Sequence, residues 1–188
     1  MERTITYFES RGTANTDTVF ELVAERAALL GINTVVVPST AGATGLRAVE
    51  NLKGLGVVVV SHSTGYGGPG TQQMPAETRA QIEAKGGKVL TTTHAFGGVG
   101  RSVRKKFNTW QVEEIIAQTL KRMGEGTKVA VEVSLMAADA GMIPAHEEII
   151  ACGGSGRGLD TALVLKPAHA QTFFDLEILE VICKPRTP

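Results

Sequence analysis

A strand–turn–helix segment near residue 40 constrains the fold of this chain more than any other feature. Residues 34–37 form a β-branched run typical of a buried strand, and residues 46–52 have the composition of a helix. The turn between them is rich in hydroxyl groups and glycine. The first N–H groups of a helix are unpaired and its dipole favours an anion, so the segment predicts a phosphate-binding turn at the end of a strand. Its candidate binding residues are Ser39, Thr40, Ala41, Gly42 and Thr44.

Strand and helix patterns alternate through most of the chain. Predicted strands at residues 5–8, 34–37, 57–60, 88–93 and 128–133 alternate with predicted helices at 15–30, 44–53, 75–85 and 112–123. This order implies a parallel sheet with helices on both faces. Three further strand-like runs lack long helices between them, and we expect them to add strands, some antiparallel, to one edge; they span residues 148–152, 161–166 and 177–183. The predicted fold class is α/β, a three-layer sandwich with a mostly parallel sheet, in one domain over residues 1–188.

The composition argues against several classes of partner. The 188 residues carry 19 Lys and Arg against 19 Asp and Glu, so no excess charge favours nucleic acid or an anionic membrane surface. No apolar run reaches the roughly 18 residues that cross a bilayer, and the N-terminus lacks the apolar core of a signal peptide. Cys152 and Cys183 lie in apolar contexts, which favours buried thiols in a reducing compartment. We expect a cytoplasmic protein, and residues 177–183, taken as an apolar edge strand, favour a homo-oligomer.

Polar side chains follow four predicted strands. Because parallel strands end at the same edge of a sheet, where ligands bind, we expect these side chains to share a cleft. His62 and His94 either contact the ring or phosphate of a ligand or only satisfy loop backbone groups. Their spacing lacks the HxH and HxxxH patterns of metal ligands, so no metal site is predicted. The candidates outside the turn at residues 39–45 are Asn15, Thr16, Ser61, His62, Thr93 and His94.

A second glycine cluster at residues 153–161 follows another predicted strand. Its backbone can form an anion-binding nest, and Arg157 can bind a phosphate through two N–H groups; alternatively the segment is a long hairpin turn. Its candidate residues are Gly153, Gly154, Arg157, Asp160 and Thr161. Asp139 follows the predicted strand at residues 128–133. It either accepts a hydrogen bond from a ligand hydroxyl or ring N–H, or caps a helix.

No fingerprint of catalysis accompanies these candidates. The GxGxxG, GxxxxGK[ST] and GxSxG patterns of dinucleotide-binding, nucleoside-triphosphate-binding and hydrolase sites are absent from the sequence. The basic run at residues 101–106 is most simply a solvated face. Two long glycine-rich segments, residues 63–74 and 95–108, are candidate lids or ligand-contacting loops. The catalytic residues, if any, are therefore left unassigned.

Several motifs nevertheless resemble one family. Residues 36–42, 93–99, 136–144 and 153–162 are similar to segments of small archaeal and bacterial proteins that resemble a stand-alone pyruvate kinase C-terminal α/β domain. The resemblance implies flavin mononucleotide (FMN) as the cofactor. In pyruvate kinase the similar domain is not catalytic, and its Ser/Thr-Gly loop, which residues 39–44 resemble, holds the phosphate of a sugar-phosphate effector. The catalytic barrel has no counterpart here, so pyruvate kinase activity is not expected. Arg11-Gly12 replaces the Pro-Gly of relatives.

Three functions follow from these observations. The first is binding of FMN, with its phosphate on residues 39–44 and its ring near His62, His94 and Asp139, and with flavin-dependent oxidoreduction as an open extension. The second is a regulatory or sensor module that binds a sugar phosphate. The third is an enzyme that acts on a phosphorylated metabolite with His62 or His94 as general base. A phosphorylated small molecule is the expected partner in all three.

Overall fold

A computed structural model describes residues 2–187 of the chain. Within this range there are seven strands: β1 (Thr6–Phe8), β2 (Thr34–Pro38), β3 (Gly56–Ser61), β4 (Lys88–Thr91), β5 (Ile149–Gly153), β6 (Thr161–Lys166) and β7 (Glu177–Pro185). The same range holds six α-helices: α1 (Thr16–Leu30), α2 (Ala43–Asn51), α3 (Ala76–Ala84), α4 (Val99–Phe107), α5 (Val112–Leu120) and α6 (Glu125–Asp139). Short 3₁₀ turns span Thr13–Asn15, Lys121–Met123 and Ala170–Asp175.

The seven strands form one sheet in the order β1-β7-β6-β5-β2-β3-β4. All neighbouring pairs among residues 2–187 are parallel except those of β6, which is antiparallel to β5 and to β7. The predicted α/β class with a mostly parallel sheet is confirmed. The expectation that the last three strands extend one edge is wrong, because β5 pairs with β2 and β7 pairs with β1. Every residue of β5 is buried, as a strand covered on both faces requires.

One predicted strand is a helix. Residues 128–133 lie inside α6, in which every residue from Ala130 to Ala138 is buried. A helix that is apolar on all sides presents a short β-branched run, and such a run cannot be assigned to strand or helix from periodicity. The segment at residues 95–108 is also not a plain loop, because it contains α4.

Helices cover both faces of the sheet, which confirms the three layers. One core packs α1, α2 and α3 against side chains such as Val35, Val59 and Ile150. The other packs α5 and α6 against side chains such as Val36, Val58 and Ala151. Gly31 ends α1 in the left-handed conformation, as its position predicts. Thr18 and Glu21 have the spacing of a capping box, but both lie inside α1 and do not cap it.

No helix between residues 2 and 187 is both long and apolar enough to span a bilayer.

The topology divides the connecting segments between two edges of the sheet. The loops after β1, β2, β3, β4 and β5 lie at the carboxyl ends of these parallel strands. We call this side of the sheet the carboxyl edge, as distinct from the outermost strands β1 and β4. The entry to β6 lies there too, because Thr161 pairs with Gly153 at the end of β5. The opposite edge carries the end of α6, which leads back to the start of β5. The carboxyl edge is therefore where the predicted binding residues are expected to meet.

Candidate functional site

The turn after β2 presents free backbone donors. Ser39 is buried, and its hydroxyl oxygen accepts a hydrogen bond from the N–H of Gly45 at 3.0 Å. Its own N–H donates to the carbonyl oxygen of Val60 at 2.9 Å, which fixes the turn to β3. Within residues 2–187, the N–H groups of Thr40 through Thr44 have no hydrogen-bond acceptor. A half-exposed turn with several unpaired N–H groups at the start of α2 suits an anion.

The glycines of this turn serve packing. Gly42 has φ +93°, and a Cβ there would lie 2.3 Å from Cγ2 of Thr78 in α3. A Cβ on Gly45 would lie 2.5 Å from Cγ1 of Val59 in β3. Both missing side chains point into the protein, so these glycines allow α2 to approach α3 and the sheet. The absence of a side chain at both positions is explained by this packing, while the N–H of Gly42 still faces the turn without an acceptor within residues 2–187.

A cluster of three aromatic rings adjoins the turn, and we call it the ring cluster. The ring of His62 lies 4.2 Å from that of Tyr66 and 5.0 Å from that of His94, and the Tyr66 and His94 centroids are 4.9 Å apart. The guanidinium of Arg101 in α4 lies 5.0 Å from the Tyr66 ring. His62 Nε2 is 3.3 Å from the hydroxyl of Thr40, which joins the ring cluster to the turn. His62 Nδ1 is 2.7 Å from the side-chain oxygen of Gln73.

His94 is uncharged at neutral pH. Burial lowers the pKa of His94 to about 4, and the positive charges of Arg101 and Lys128 act in the same direction, as does His62. Glu132 opposes this shift but does not reverse it. The Glu132 carboxylate is itself buried and occupied, because it accepts a hydrogen bond from the N–H of Phe96 at 3.1 Å and pairs with Lys128. The ring cluster therefore offers the neutral imidazole of His94 beside the guanidinium of Arg101.

The second predicted anion loop connects β5 and β6 and is a hairpin loop, the alternative considered from sequence. Asp160 is fully buried inside it. Its carboxylate accepts hydrogen bonds from the N–H groups of Gly12 at 2.9 Å and Ser155 at 3.0 Å, and from the hydroxyl of Thr161 at 2.9 Å. Asp160 and Thr161 thus hold the loops after β1 and β5 together and are not free to bind a ligand.

Four more candidates have structural roles, three through internal hydrogen bonds and one through close packing. Thr16 is buried and bonds to the carbonyl of Thr13 and the N–H of Leu159, while Asn15 donates to the carbonyl of Ser10. Ser61 is 2% exposed and bonds to Thr91 at 2.6 Å. Gly153 is glycine because a Cβ there would lie 1.9 Å from the carbonyl oxygen of Gly126.

The remaining hairpin and strand-end candidates stay open to solvent. Arg157 is exposed, and its guanidinium has no partner in the described part of the chain. Gly154 is half-buried, and a Cβ there would lie 2.2 Å from the carbonyl oxygen of Gly158. Thr93 is exposed at the end of the segment that follows β4. The structure thus brings Thr40, Ala41, Thr44, His62 and His94 to one region, with Arg157 on the neighbouring loop.

The placement of Asp139 at this site is wrong. Asp139 is the last residue of α6, at the opposite edge of the sheet, where it accepts a hydrogen bond from the N–H of Ala170 at 3.0 Å and lies 3.4 Å from His169. The error follows from the misassigned strand: a carboxylate expected at the carboxyl end of a strand lies at the carboxyl end of a helix that runs the other way. Capping the segment before β7 is its observed role.

Sequence reasoning missed Tyr66, Gln73 and Arg101. The sequence signal for Tyr66 and Gln73 is their position in the glycine-rich segment at residues 63–74, a predicted ligand-contacting loop. The sequence predicts Arg101 on a solvated basic face, because residues 95–108 have the pattern of a loop and do not indicate α4, the helix that brings Arg101 to Tyr66.

Other reactive groups lie outside the site. Cys152 and Cys183 are buried free thiols, as predicted, and burial raises the pKa of both. Thiols of raised pKa are poor nucleophiles. Among the described residues, no group of three or more His, Cys, Asp or Glu side chains is placed to hold a metal ion.

Comparison with known proteins shows which family this chain belongs to. A family model described as pyruvate kinase, alpha/beta domain, matches residues 17–165. Among solved structures, the chain is similar to a pyruvate kinase from Cryptosporidium parvum, with a TM-score of 0.44 and 12% sequence identity. That match covers 85% of this chain and 24% of the pyruvate kinase, so the chain spans about a quarter of that enzyme. Because the family model covers most of its length, this chain belongs to the pyruvate kinase alpha/beta domain family.

Proposed function

We propose that the protein binds a phosphorylated small molecule at the carboxyl edge, and that FMN is the ligand this site fits best. The observation that carries the proposal is the 3.3 Å contact between Thr40 and His62. It joins a turn with unpaired N–H groups to the ring cluster, so a single ligand can place a phosphate on one and a flat ring on the other. Aromatic stacking and backbone N–H donors are the recognition that these two groups require.

The residues present suit each half of FMN. The N–H groups of residues 40–44 would hold the phosphate dianion, aided by the dipole of α2. His62, Tyr66 and His94 would hold the ring, with Arg101 behind Tyr66. When bound, a flavin supplies hydride-transfer chemistry. The chain's own part in this proposal is to bind and orient the ligand.

His94 is poorly suited to act as a general base. A general base is most effective when its pKa lies near the working pH, and the pKa of His94 is about 4. The neutral ring can instead donate or accept one hydrogen bond at a ligand heteroatom. We therefore rank an enzyme that uses His94 as base below a binding protein. Bleaching of bound flavin by a reduced nicotinamide would extend the proposal to an oxidoreductase.

A charge placed in the turn tests the phosphate site. Ala41 is exposed and adjoins the free N–H groups, so Ala41→Asp places a carboxylate beside the phosphate without filling buried space. We expect FMN affinity to fall about tenfold or more, since like charges a few ångströms apart cost roughly 1–4 kcal/mol near a surface. Affinity for riboflavin, which lacks the phosphate, should stay unchanged. Flavin fluorescence titration measures both ligands.

Ala80→Asp is the matched control, since Ala80 is also exposed but lies on α3. Equal FMN affinity in the two variants would show that the turn does not hold the phosphate. If the unmodified protein does not bind FMN at millimolar concentration, FMN is not the ligand. The sugar-phosphate hypothesis would then be tested next.

The second candidate is a regulatory module that binds a sugar phosphate. It is favoured by the exposed Arg157 on the loop after β5, because β5 is the strand next to β2 and a second anionic group of one ligand could reach it. On this reading, Arg157→Ala weakens binding of a sugar bisphosphate and leaves a monophosphate unaffected, as measured by calorimetry. Arg186→Ala, at an exposed arginine after β7, is the control.

A further inference from the structure

An apolar surface on α4, α5 and the segment between them lies outside the proposed ligand site. Five large apolar side chains there are between 56% and 81% exposed: Val99, Phe107, Trp110, Val112 and Ile115. We call them the α4–α5 surface. Single exposed apolar residues are ordinary, but here five occur within 17 consecutive positions, and two of them, Trp110 and Ile115, line one groove.

The α4–α5 surface has a raised ring beside a groove. Trp110 and Ile115 line a groove of about 420 Å³, together with Gln118, Thr119 and Arg122. The groove is shallow and mostly open to solvent. The guanidinium of Arg104 lies 5.4 Å from the Trp110 ring and is held by Glu114 at 2.6 Å, so the indole is supported from behind. An exposed indole and a shallow groove therefore lie side by side.

We propose that a second copy of this chain covers the α4–α5 surface in a two-fold dimer. In such an interface each residue meets the same patch on the partner, so Trp110 of each copy would enter the groove of the other. Arg122 in the groove wall offers a cation to the incoming indole. The exposed apolar side chains of one copy would then cover those of the other.

Area and charge favour a second copy as the occupant. A standard interface takes about 800 Å² from each partner, and five large apolar residues that are 56% to 81% exposed can supply part of that area. The rim carries both signs, with Lys105 and Lys106 at the end of α4 and Glu113 at the start of α5, so two copies can pair opposite charges. The net charge of zero adds no long-range repulsion between copies.

The chain provides its own reporter, because Trp110 is its single tryptophan. We expect sedimentation to show a dimer at micromolar concentration and tryptophan emission to move to shorter wavelength as the protein is concentrated. Ile115→Arg keeps the reporter but places a charge in the interface. It should raise the dissociation constant about a hundredfold or more, as for a hot-spot residue, and abolish the emission shift.

Phe174→Arg is the matched control, since Phe174 is 91% exposed and lies before β7, outside the α4–α5 surface. It should dimerise like the unmodified protein. A monomer with unchanged emission up to 100-fold higher concentration would overturn the proposal and leave the surface to a different partner. A dimer that survives Ile115→Arg would also overturn it, since another surface would then be responsible. Neither result bears on ligand binding at the carboxyl edge.

Discussion

Removal of the Asp160 carboxylate should destabilise the protein strongly and locally. Asp160→Ala leaves three buried or half-buried donors without an acceptor: the N–H groups of Gly12 and Ser155 and the hydroxyl of Thr161. A buried donor left unsatisfied costs about 1–3 kcal/mol. Ser155 is half-buried and water can replace part of the loss there, so we expect the free energy of unfolding to fall by about 3–5 kcal/mol. Asp160→Asn keeps one acceptor oxygen and should lose about half as much.

Urea unfolding followed by circular dichroism measures this loss. The midpoint should move while the slope stays constant, because the surface exposed on unfolding is unchanged. Hydrogen exchange adds a local reading, since the amides of Gly12 and Ser155 should lose protection before those of β5. Asp175→Ala is the control, because Asp175 is exposed and accepts no hydrogen bond from another residue within 2–187. A loss below about 1 kcal/mol in Asp160→Ala would refute the view that this carboxylate holds the two loops.

Three further predictions concern α6, His94 and Tyr66. Gly153→Ala should lower the melting temperature by about 4–10 °C, because its Cβ meets rigid backbone at Gly126, and calorimetry showing no change would refute this packing. The pKa of His94 is lowered from 6.5 to about 4, so the unfolded chain takes up the proton first and stability is lost as the pH falls from 6.5 to 4. Since the ring is partly exposed, we expect about 1 kcal/mol of this loss to disappear in His94→Gln, and equal pH profiles by urea unfolding would contradict it. Tyr66→Ala should weaken FMN and riboflavin equally, unlike Ala41→Asp, and a loss for FMN alone in fluorescence titration would exclude ring contact by Tyr66.

The parallel part of the fold could be predicted because its signals are local. A β-branched run such as Val57–Val60, followed by a glycine-rich turn and a helical pattern, specifies one strand and one helix within about 30 residues. The central position of β5 could not be predicted, since it depends on pairing with β2, more than 100 residues earlier. The strand predicted at residues 128–133 failed because the same apolar run suits a central strand and a buried helix, and only the packing of α6 on β5 and β2 decides between them.

The polar residues of the candidate site fall into two groups: some remain available to a ligand, and others are held by internal hydrogen bonds. Thr40 and Asp160 both belong to glycine-rich turns at strand ends, yet Thr40 is half-buried beside free N–H groups and Asp160 is fully enclosed. The difference lies in the turns. The turn after β2 leads into a helix, whose first N–H groups stay unpaired. The loop after β5 instead returns as a hairpin, and its N–H groups need an internal acceptor in place of a strand partner. A carboxylate at the end of a glycine-rich hairpin loop is therefore better interpreted as the acceptor for that loop than as a ligand contact, whereas the hydroxyl of a strand–turn–helix segment remains available to a bound anion.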